Sequence, residues 1–364
     1  MNGNVSMEPL FTPPLRTRGR DIVDAHNKRL KLASINWYGG SDELFVPGGL
    51  DVRPRRAIAA LIRRLGFNSV RLPYSDEMVA KNPPIPHELL AANPDLFGMR
   101  ALDVFEAVVT ALTDEGVAVI VNDHITNAAW CDGMNLCDSS WKNDQLGPLC
   151  RFRQTEDDWI AHWETIMARF VNNPHVVGAD LRNEPRGLWG TMTWTAWATA
   201  AARCGERLLK MQPNWLMIIE GVSSANDLSG VRQQPVRYSV PDRTVYSAHV
   251  YSWSGWGSLD PYKGRKYTSF VRAMEQNWAF ILAENIAPVW IGEFGAPDSP
   301  NKGDAHYWKN LMKYLEEVDA DFGYWAINPR KPHLNERESY SILKDDWETL
   351  VDDYRMQDLQ RLMK

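Results

Sequence analysis

The stretch VVGADLRNEPRG, residues 176–187, combines the two features on which our interpretation of the chain depends. Its first half is a short apolar run, typical of a strand buried on both faces of a parallel sheet. Its second half places Asn183 and Glu184 directly after that run, and Pro185 restricts the turn that follows. A carboxylic acid at the end of a buried strand therefore calls for a partner elsewhere in the chain.

Similar apolar runs recur along the chain and alternate with amphipathic stretches. Two of these stretches, residues 53–66 and 101–116, end in a Gly suited to a left-handed helix cap, and Thr155 opens a third as a candidate N-cap. Alternating strands and helices predict an α/β protein with a parallel sheet, and eight such units predict a closed (β/α)8 TIM barrel. The predicted strands are residues 31–37, 68–73, 117–124, 176–184, 215–221, 244–251, 287–295 and 321–328.

The predicted organisation is a single catalytic domain over residues 1–364, which is long enough for one large core. The barrel core spans about residues 31–330, and a β-hairpin at about 15–30 plugs its N-terminal end. We also expect a C-terminal helix at about 345–362, long βα loops, and a fifth helix that is short or irregular because residues 222–243 are rich in Ser, Gly, Gln and Pro.

Composition excludes several classes of protein. The formal net charge is −6 and no Lys/Arg block stands out, which argues against a nucleic-acid partner. The chain contains no run of 18 or more apolar residues, so no membrane span is predicted. The first thirty residues also lack the apolar core of a signal peptide. The chain shown is therefore either intracellular or already processed.

Four cysteines leave two interpretations open. Cys131, Cys137 and Cys150 fall within twenty residues, whereas Cys204 lies in a helical pattern. Zinc ligands usually have tighter paired spacing, so a loop-stapling disulfide or free thiols are favoured over a metal site. Cys137 with Cys150 is the preferred pair, and a disulfide would indicate an oxidising compartment.

The chain contains 16 tryptophans, and several lie in loop-like segments rich in Gly, Ser and Asp. Exposed rings in loops form flat apolar platforms that suit the C–H faces of sugars, although each cluster could also cap the core. The clusters are WCDGMNLCDSSW (130–141), GLWGTMTW (187–194) and YSWSGWGS (251–258).

Polar and aromatic residues end all eight predicted strands. Alone, each is more often structural than functional, but a barrel brings all its strand ends to one rim. Their joint placement therefore predicts an active site. The residues are Asn36, Arg71, His124, Asn183 with Glu184, Glu220, His249 with Tyr251, Glu293 and Trp325.

Two of these residues, Glu184 and Glu293, end strands that face each other across a barrel mouth. Hydrolysis of a glycosidic bond needs two such carboxyls, one protonated and one ionised. We expect Arg71 to bond Glu293 and lower its pKa, while His249 and apolar surroundings keep Glu184 protonated. Asn183 is suited to hydrogen-bond a sugar hydroxyl, and Trp325 is expected to form the floor of the central sugar subsite.

Six segments, LRNEPRG, WIGEFGAP, RLP, NDH, SAHVYSW and GYWAIN, resemble the motifs of glycoside hydrolase family 5, the retaining cellulase family of (β/α)8 barrels. The resemblance implies that Glu184 is the acid/base and Glu293 the nucleophile. It also implies that Asn183 contacts the 2-hydroxyl of the sugar and Trp325 stacks on it. Asn36, Arg71, His124, His249 and Tyr251 take supporting roles, whereas Glu220 matches no role.

The leading hypothesis is thus a retaining endo-β-1,4-glucanase acting on a β-linked oligo- or polysaccharide, with no cofactor and no metal. The alternative within the same chemistry is an exo-acting β-glucosidase, or a glycosidase of small glycosides or glycolipids with a closed pocket. A metal-dependent hydrolase that uses Asp123, His124 and His249 is disfavoured because the chain has no His-x-His pair. A non-catalytic sugar-binding barrel is disfavoured because it would not need both carboxylates. We expect a monomer, secreted by family resemblance, with a cytoplasmic location as the alternative.

Overall fold

A closed barrel of eight parallel strands forms the centre of the molecule. The computed structural model describes residues 8–254, 261–331 and 335–364. An antiparallel hairpin of Arg16–Arg18 (β1) and Asp21–Val23 (β2) precedes the barrel. The barrel strands are Ala33–Asn36 (β3), Ser69–Ser75 (β4), Ala118–Ile125 (β5), Val176–Asp180 (β6), Leu216–Glu220 (β7), Thr244–His249 (β8), Val289–Phe294 (β9) and Asp321–Tyr324 (β10). β10 pairs back with β3, which confirms the predicted fold class.

Helices connect the strands and cover the outside of the barrel. They are Arg55–Arg64 (α1), Asp76–Lys81 (α2), Ala101–Asp114 (α3), Glu156–Met167 (α4), Trp194–Met211 (α5), Val222–Ala225 (α6), Tyr267–Met274 (α7), Phe280–Ala283 (α8), Lys302–Val318 (α9) and Tyr354–Leu362 (α10). A π-helical turn, Glu275–Ala279, joins α7 to α8. A last two-stranded ladder pairs Arg330–Lys331 (β11) with Glu336–Arg337 (β12).

Local signals in the sequence account for the helix ends. Gly66 and Gly116 follow α1 and α3 with φ of 98° and 74°, a conformation that a side chain would disfavour. Thr155 caps α4 in a reciprocal capping box with Asp158. The helix that follows the fifth barrel strand, α6, is only four residues long, as the composition of residues 222–243 predicted. The short helix α2 was missed.

The alternation of side chains along β5 explains why the functional groups lie at one end. Val119 and Val121 pack outward in the main core beneath the helices, whereas Ala118 and Ile120 point into the barrel. His124, on the same inward face, lines a cleft at the C-terminal end of the strand. The barrel interior is therefore apolar at the N-terminal end and polar at the C-terminal end.

The N-terminal hairpin closes the apolar end, as predicted. Leu15, Ile22 and Leu32 are almost fully buried and pack with inward-facing strand residues such as Ile218 and Trp290. Water is thereby excluded from the bottom of the barrel, so the open end is the C-terminal one.

Three predicted spans were too long by four residues or more. β6 ends at Asp180 rather than at residue 184, and β10 ends at Tyr324 rather than at 328, because the chain turns away to form the rim. The C-terminal helix begins at Tyr354 rather than near 345. In the preceding segment, Asp346 accepts the N–H groups of Glu348 and Thr349, and Trp347 has a φ of 55°, so local turns replace the helix.

The long loop between β5 and α4 contains a disulfide between Cys137 and Cys150, the preferred pair. Cys131 and Cys204 are free thiols. Of the tryptophan-rich segment 251–258, residues 255–258 lie outside the described residues. Within the described part of the chain, no helix has the length and apolar character that crossing a membrane requires.

Candidate active site

Arg71, in β4, is the centre of the polar end of the barrel, and its side chain is fully buried. Its Nη1 lies 2.5 Å from Glu293 Oε1, the contact that the sequence led us to expect. Burial of a guanidinium is costly unless its donors are all paired, and here each nitrogen has at least one acceptor. The other acceptors are Asp180 at 2.7 Å, Asn183 at 2.8 Å, and Asn36 and Glu220 at 3.0 Å each.

The two predicted catalytic glutamates approach each other above Arg71. Glu184 lies beyond the end of β6 with a φ of 48°, and its Oε1 accepts a hydrogen bond from His249 Nδ1 at 2.8 Å. Glu293, in β9, accepts the Tyr251 hydroxyl on Oε2 at 2.9 Å. A carboxylate oxygen of Glu184, a ring nitrogen of His249 and a carboxylate oxygen of Glu293 all lie within 4.8 Å of one another.

The electrostatics differ in part from our expectation. Burial raises the pKa of Glu293 above its ordinary value, although His249 and Arg71 lower it. The expected net lowering was therefore wrong, because desolvation of the carboxylate outweighs the two cations. Burial disfavours the charged imidazole of His249, but the carboxylates of Glu220 and Glu293 and the hydrogen bond to Glu184 raise its pKa well above the ordinary value.

Trp325 forms one wall of a cleft of about 420 Å³ that contains both glutamates. Its ring stacks on Tyr38 with centroids 4.9 Å apart and on His124 at 5.6 Å. The His124 ring is in turn held by a 2.8 Å hydrogen bond to Asn122 Oδ1. This wall of the cleft is therefore a rigid aromatic surface beside the carboxyls.

Asp123 does not join this site. Its Oδ2 accepts the indole N–H of Trp159 at 2.7 Å, and Arg182 lies 3.3 Å away on the same side of the sheet. Because neighbouring residues of a strand point to opposite faces, Asp123 and His124 cannot bind one ion together. The geometry does not fit the metal-dependent alternative.

Several cleft residues were not among the predicted site residues, because they lie in loops beyond the strand ends. Trp130, Lys331 and Glu338 border the cleft, and the Lys331 ammonium lies 4.5 Å from the Trp130 ring centroid. Trp253 and Tyr340 border it on another side. Trp130 and Trp253 both belonged to predicted tryptophan clusters, which were the available signal. A larger hollow of about 600 Å³ beside the start of α5 contains none of the predicted site residues.

A sequence model described as cellulase, glycosyl hydrolase family 5, matches residues 23–331. The chain belongs to this family. The family 5 enzyme is thus a glycoside hydrolase, and the match covers all eight barrel strands.

Relatives with known names agree with this assignment. The family 5 enzyme is 31% identical to an endoglucanase of Paenibacillus polymyxa over 92% of this chain and 83% of that protein. It is 28% identical to the major extracellular endoglucanase of Xanthomonas campestris pv. campestris, over 92% of this chain and 68% of the relative. A solved endocellulase of Pyrococcus horikoshii in complex with cellotetraose has a TM-score of 0.80 and 26% identity, covering 97% of this chain and 100% of the other.

Proposed function

We propose that this protein is an endo-β-1,4-glucanase that cleaves β-linked glucan with retention of configuration. The observation that carries the proposal is the approach of Glu184 and Glu293, each with a carboxylate oxygen within 4.8 Å of one on the other residue. Retaining pairs lie about 5–5.5 Å apart, whereas inverting pairs need about 6.5–9.5 Å to admit a water molecule. The arrangement favours attack by a carboxylate over attack by water.

In the first step, Glu293 attacks the anomeric carbon while Glu184 donates a proton to the departing glycosidic oxygen. In the second step, Glu184 accepts a proton from water, which displaces Glu293 from the sugar. Arg71 and Tyr251 each donate a hydrogen bond to Glu293, at 2.5 and 2.9 Å, and so fix the direction of its lone pairs.

The remaining residues suit a glucose ring between the carboxyls. Trp325 supplies an apolar face for the C–H groups of the ring. The Asn183 carbonyl is bonded to Arg71 at 2.8 Å, which directs the amide nitrogen toward the cleft, where it can meet a sugar hydroxyl. Asn36 and His124 support this arrangement from the neighbouring strands.

Polymer cleavage is supported by the names of the relatives, which are endoglucanases, and by a solved relative that binds cellotetraose. Cellopentaose and soluble carboxymethyl-cellulose test the proposal. Expected products are mixed cellobiose and cellotriose with a rapid fall in viscosity, and proton NMR of the first product shows the β-anomer. Release of glucose alone would support the exo-acting alternative, and an initial α-anomer would exclude retention.

A location outside the reducing cytoplasm is part of the proposal. The relative from Xanthomonas is named as extracellular, and a disulfide such as Cys137–Cys150 persists in oxidising compartments. Fractionation of the source cells with an antibody to the protein tests the location. The protein is expected to be a monomer, which size-exclusion chromatography tests.

A further inference from the structure

Two buried carboxyl groups, Asp180 and Glu220, lie beneath the catalytic pair, and the mechanism above does not use them. Both side chains have no solvent exposure. They end the neighbouring strands β6 and β7, and they share Arg71, which is 2.7 Å from Asp180 and 3.0 Å from Glu220. Their burial means that solvent cannot balance their charges, so the protein has to do so.

Asp180 has one oxygen that lacks a hydrogen-bond donor. Its Oδ2 accepts from Arg71 Nε at 2.7 Å and from Asn122 Nδ2 at 3.0 Å. Its Oδ1 is buried and receives no donor from the described residues, while Glu220 approaches the same guanidinium from the neighbouring strand. Two buried carboxyls that share one cation cannot both be ionised without a large cost, so one proton belongs between them.

Glu220 is better stabilised as an anion than Asp180. Its Oε2 accepts the backbone N–H of Glu184 at 2.7 Å. Its Oε1 lies 3.0 Å from Arg71 Nη2 and 3.4 Å from His249 Nε2. An ionised carboxylate can accept all of these contacts, whereas a protonated Glu220 would direct its own O–H at groups that are themselves donors. The ionised form of Glu220 is therefore favoured.

We propose that Asp180 is protonated and donates a hydrogen bond to Glu220, and that the ionised Glu220 is a positioning residue for Glu184 and His249. Glu220 fixes the N–H of Glu184, whose φ of 48° is a conformation that residues other than Gly rarely adopt. It also balances the positive charge of His249, which donates to Glu184 Oε1. The direction of the acid/base carboxyl thus depends on a residue that does not touch substrate.

The titratable groups that face Glu220 from each packed strand agree with this assignment. They are Arg71 in β4, His124 in β5, Asp180 and Glu184 on the β6 side, His249 in β8 and Glu293 in β9. Burial would raise the pKa of Glu220, but His249, Arg71 and the hydrogen bond from Asp180 lower it to about 2. Burial and the charge of Glu220 raise the pKa of Asp180 well above its ordinary value.

The test compares Glu220→Gln with Asp180→Asn. Glutamine removes the negative charge, so the pKa of His249 falls, and its nitrogen NMR titration moves to lower pH by about one unit or more. The alkaline limb of kcat moves in the same direction, and kcat falls about 10- to 100-fold with little change in KM. The asparagine side chain in D180N can still donate to Glu220 and accept from Arg71, so this variant leaves the His249 titration and the pH limbs in place.

Controls separate positioning from general damage. Asp321→Asn changes another buried carboxyl, at the opposite end of the barrel, and leaves the titration of His249 unchanged. Glu220→Asp keeps the charge and restores the titration but not the full kcat. Equal shifts in D180N and E220Q, or none in E220Q, would overturn the proposal.

A measurement on the unaltered protein covers the case in which E220Q does not fold. Neutron diffraction at neutral pH is expected to locate deuterium on Asp180 Oδ1 and none on Glu220; the reverse placement overturns the assignment. The positioning role rests on the proposed function, because it takes Glu184 as the acid/base. If the unaltered enzyme is inactive on cellopentaose, that function is rejected. The titration and the diffraction would still test which of the two carboxyls, Asp180 or Glu220, holds the proton.

Discussion

At the scale of single residues, the chemistry depends on how four carboxyl groups share Arg71 and His249. Arg71 contacts Asp180, Glu220 and Glu293, while His249 contacts Glu184 and lies 3.8 Å from Glu293. Two cations cannot neutralise four carboxylates, so protonation differs among chemically similar groups. This difference is what the division into an acid and a nucleophile requires.

The proton-donating role of Glu184 is tested by Glu184→Gln. The variant is expected to lose about 10²- to 10⁴-fold in kcat on cellopentaose, because the departing alcohol needs a proton. On an activated aryl cellobioside, whose phenolate leaves without protonation, the first step remains fast and a burst of phenolate appears. Stopped-flow absorbance measures the burst. Glu164→Gln, on the outer face of α4, is the matched control. Absence of the burst in Glu184→Gln, with the first step slowed equally on both substrates, would contradict the assignment.

At the scale of elements, the βα loops build the walls of the cleft on the frame that the strands provide. The Ser139 carbonyl, in the disulfide-bonded loop, accepts the N–H groups of Arg186 and Gly187 at 3.0 and 2.8 Å. These residues closely follow Glu184 in the sequence. The loop after β5 therefore supports the segment that bears Glu184, the proposed acid/base.

Removal of the disulfide by a paired Cys137→Ser, Cys150→Ser change tests this support. The loop it closes has a sequence separation of 13, and cross-links of this length contribute about 3 kcal/mol. We expect a lower melting temperature in calorimetry and a lower kcat, since the segment after Glu184 loses its anchor. Cys204→Ser, in α5, controls for loss of a thiol. An unchanged kcat with a lowered melting temperature would separate the loop from the site.

Trp253, in the loop after β8, is expected to bind a sugar outside the central subsite. Its ring is 49% exposed and stacks on Tyr251 with centroids 4.5 Å apart. Trp253→Ala should raise KM for cellopentaose about 3- to 10-fold, the value of one aromatic contact, with kcat nearly unchanged. Trp253→Phe should retain most of the affinity. Phe97→Ala, at an exposed ring outside the cleft, is the control; a similar change in KM there would refute a specific contact.

At the scale of the whole molecule, the barrel separates stability from function. Its N-terminal end is an apolar core closed by the hairpin, and its C-terminal end carries the polar site. Residues at the two ends make few direct contacts, so changes in one should leave the other intact.

Ile22→Ala tests this separation, because Ile22 is fully buried in the hairpin. The cavity should lower the free energy of unfolding by about 2–5 kcal/mol, measured by denaturant titration. At 25 °C, kcat and KM on cellopentaose should remain those of the unaltered protein. A loss of activity in the folded variant would show that the two ends are coupled.

The sequence by itself determined the frame and the position of the two candidate catalytic carboxyls. Strand and helix periods are local, and parallel strands of a barrel necessarily bring their C-terminal ends to one rim, so Glu184 and Glu293 could be placed there from the order of the strands. The same rule placed the ring of Trp325 and the amide of Asn183 on that rim.

Only the tertiary structure decided which charges meet and how far each is buried. The sharing of Arg71 by Asp180 and Glu220, the net rise in the pKa of Glu293 and the stacking of Tyr38 on Trp325 involve residues that are distant in sequence. Hydrogen bonds and desolvation depend on separations of a fraction of an ångström and on side-chain direction, and no periodic pattern encodes either. The strand order places the carboxyls on the rim, whereas packing decides which of them holds a proton.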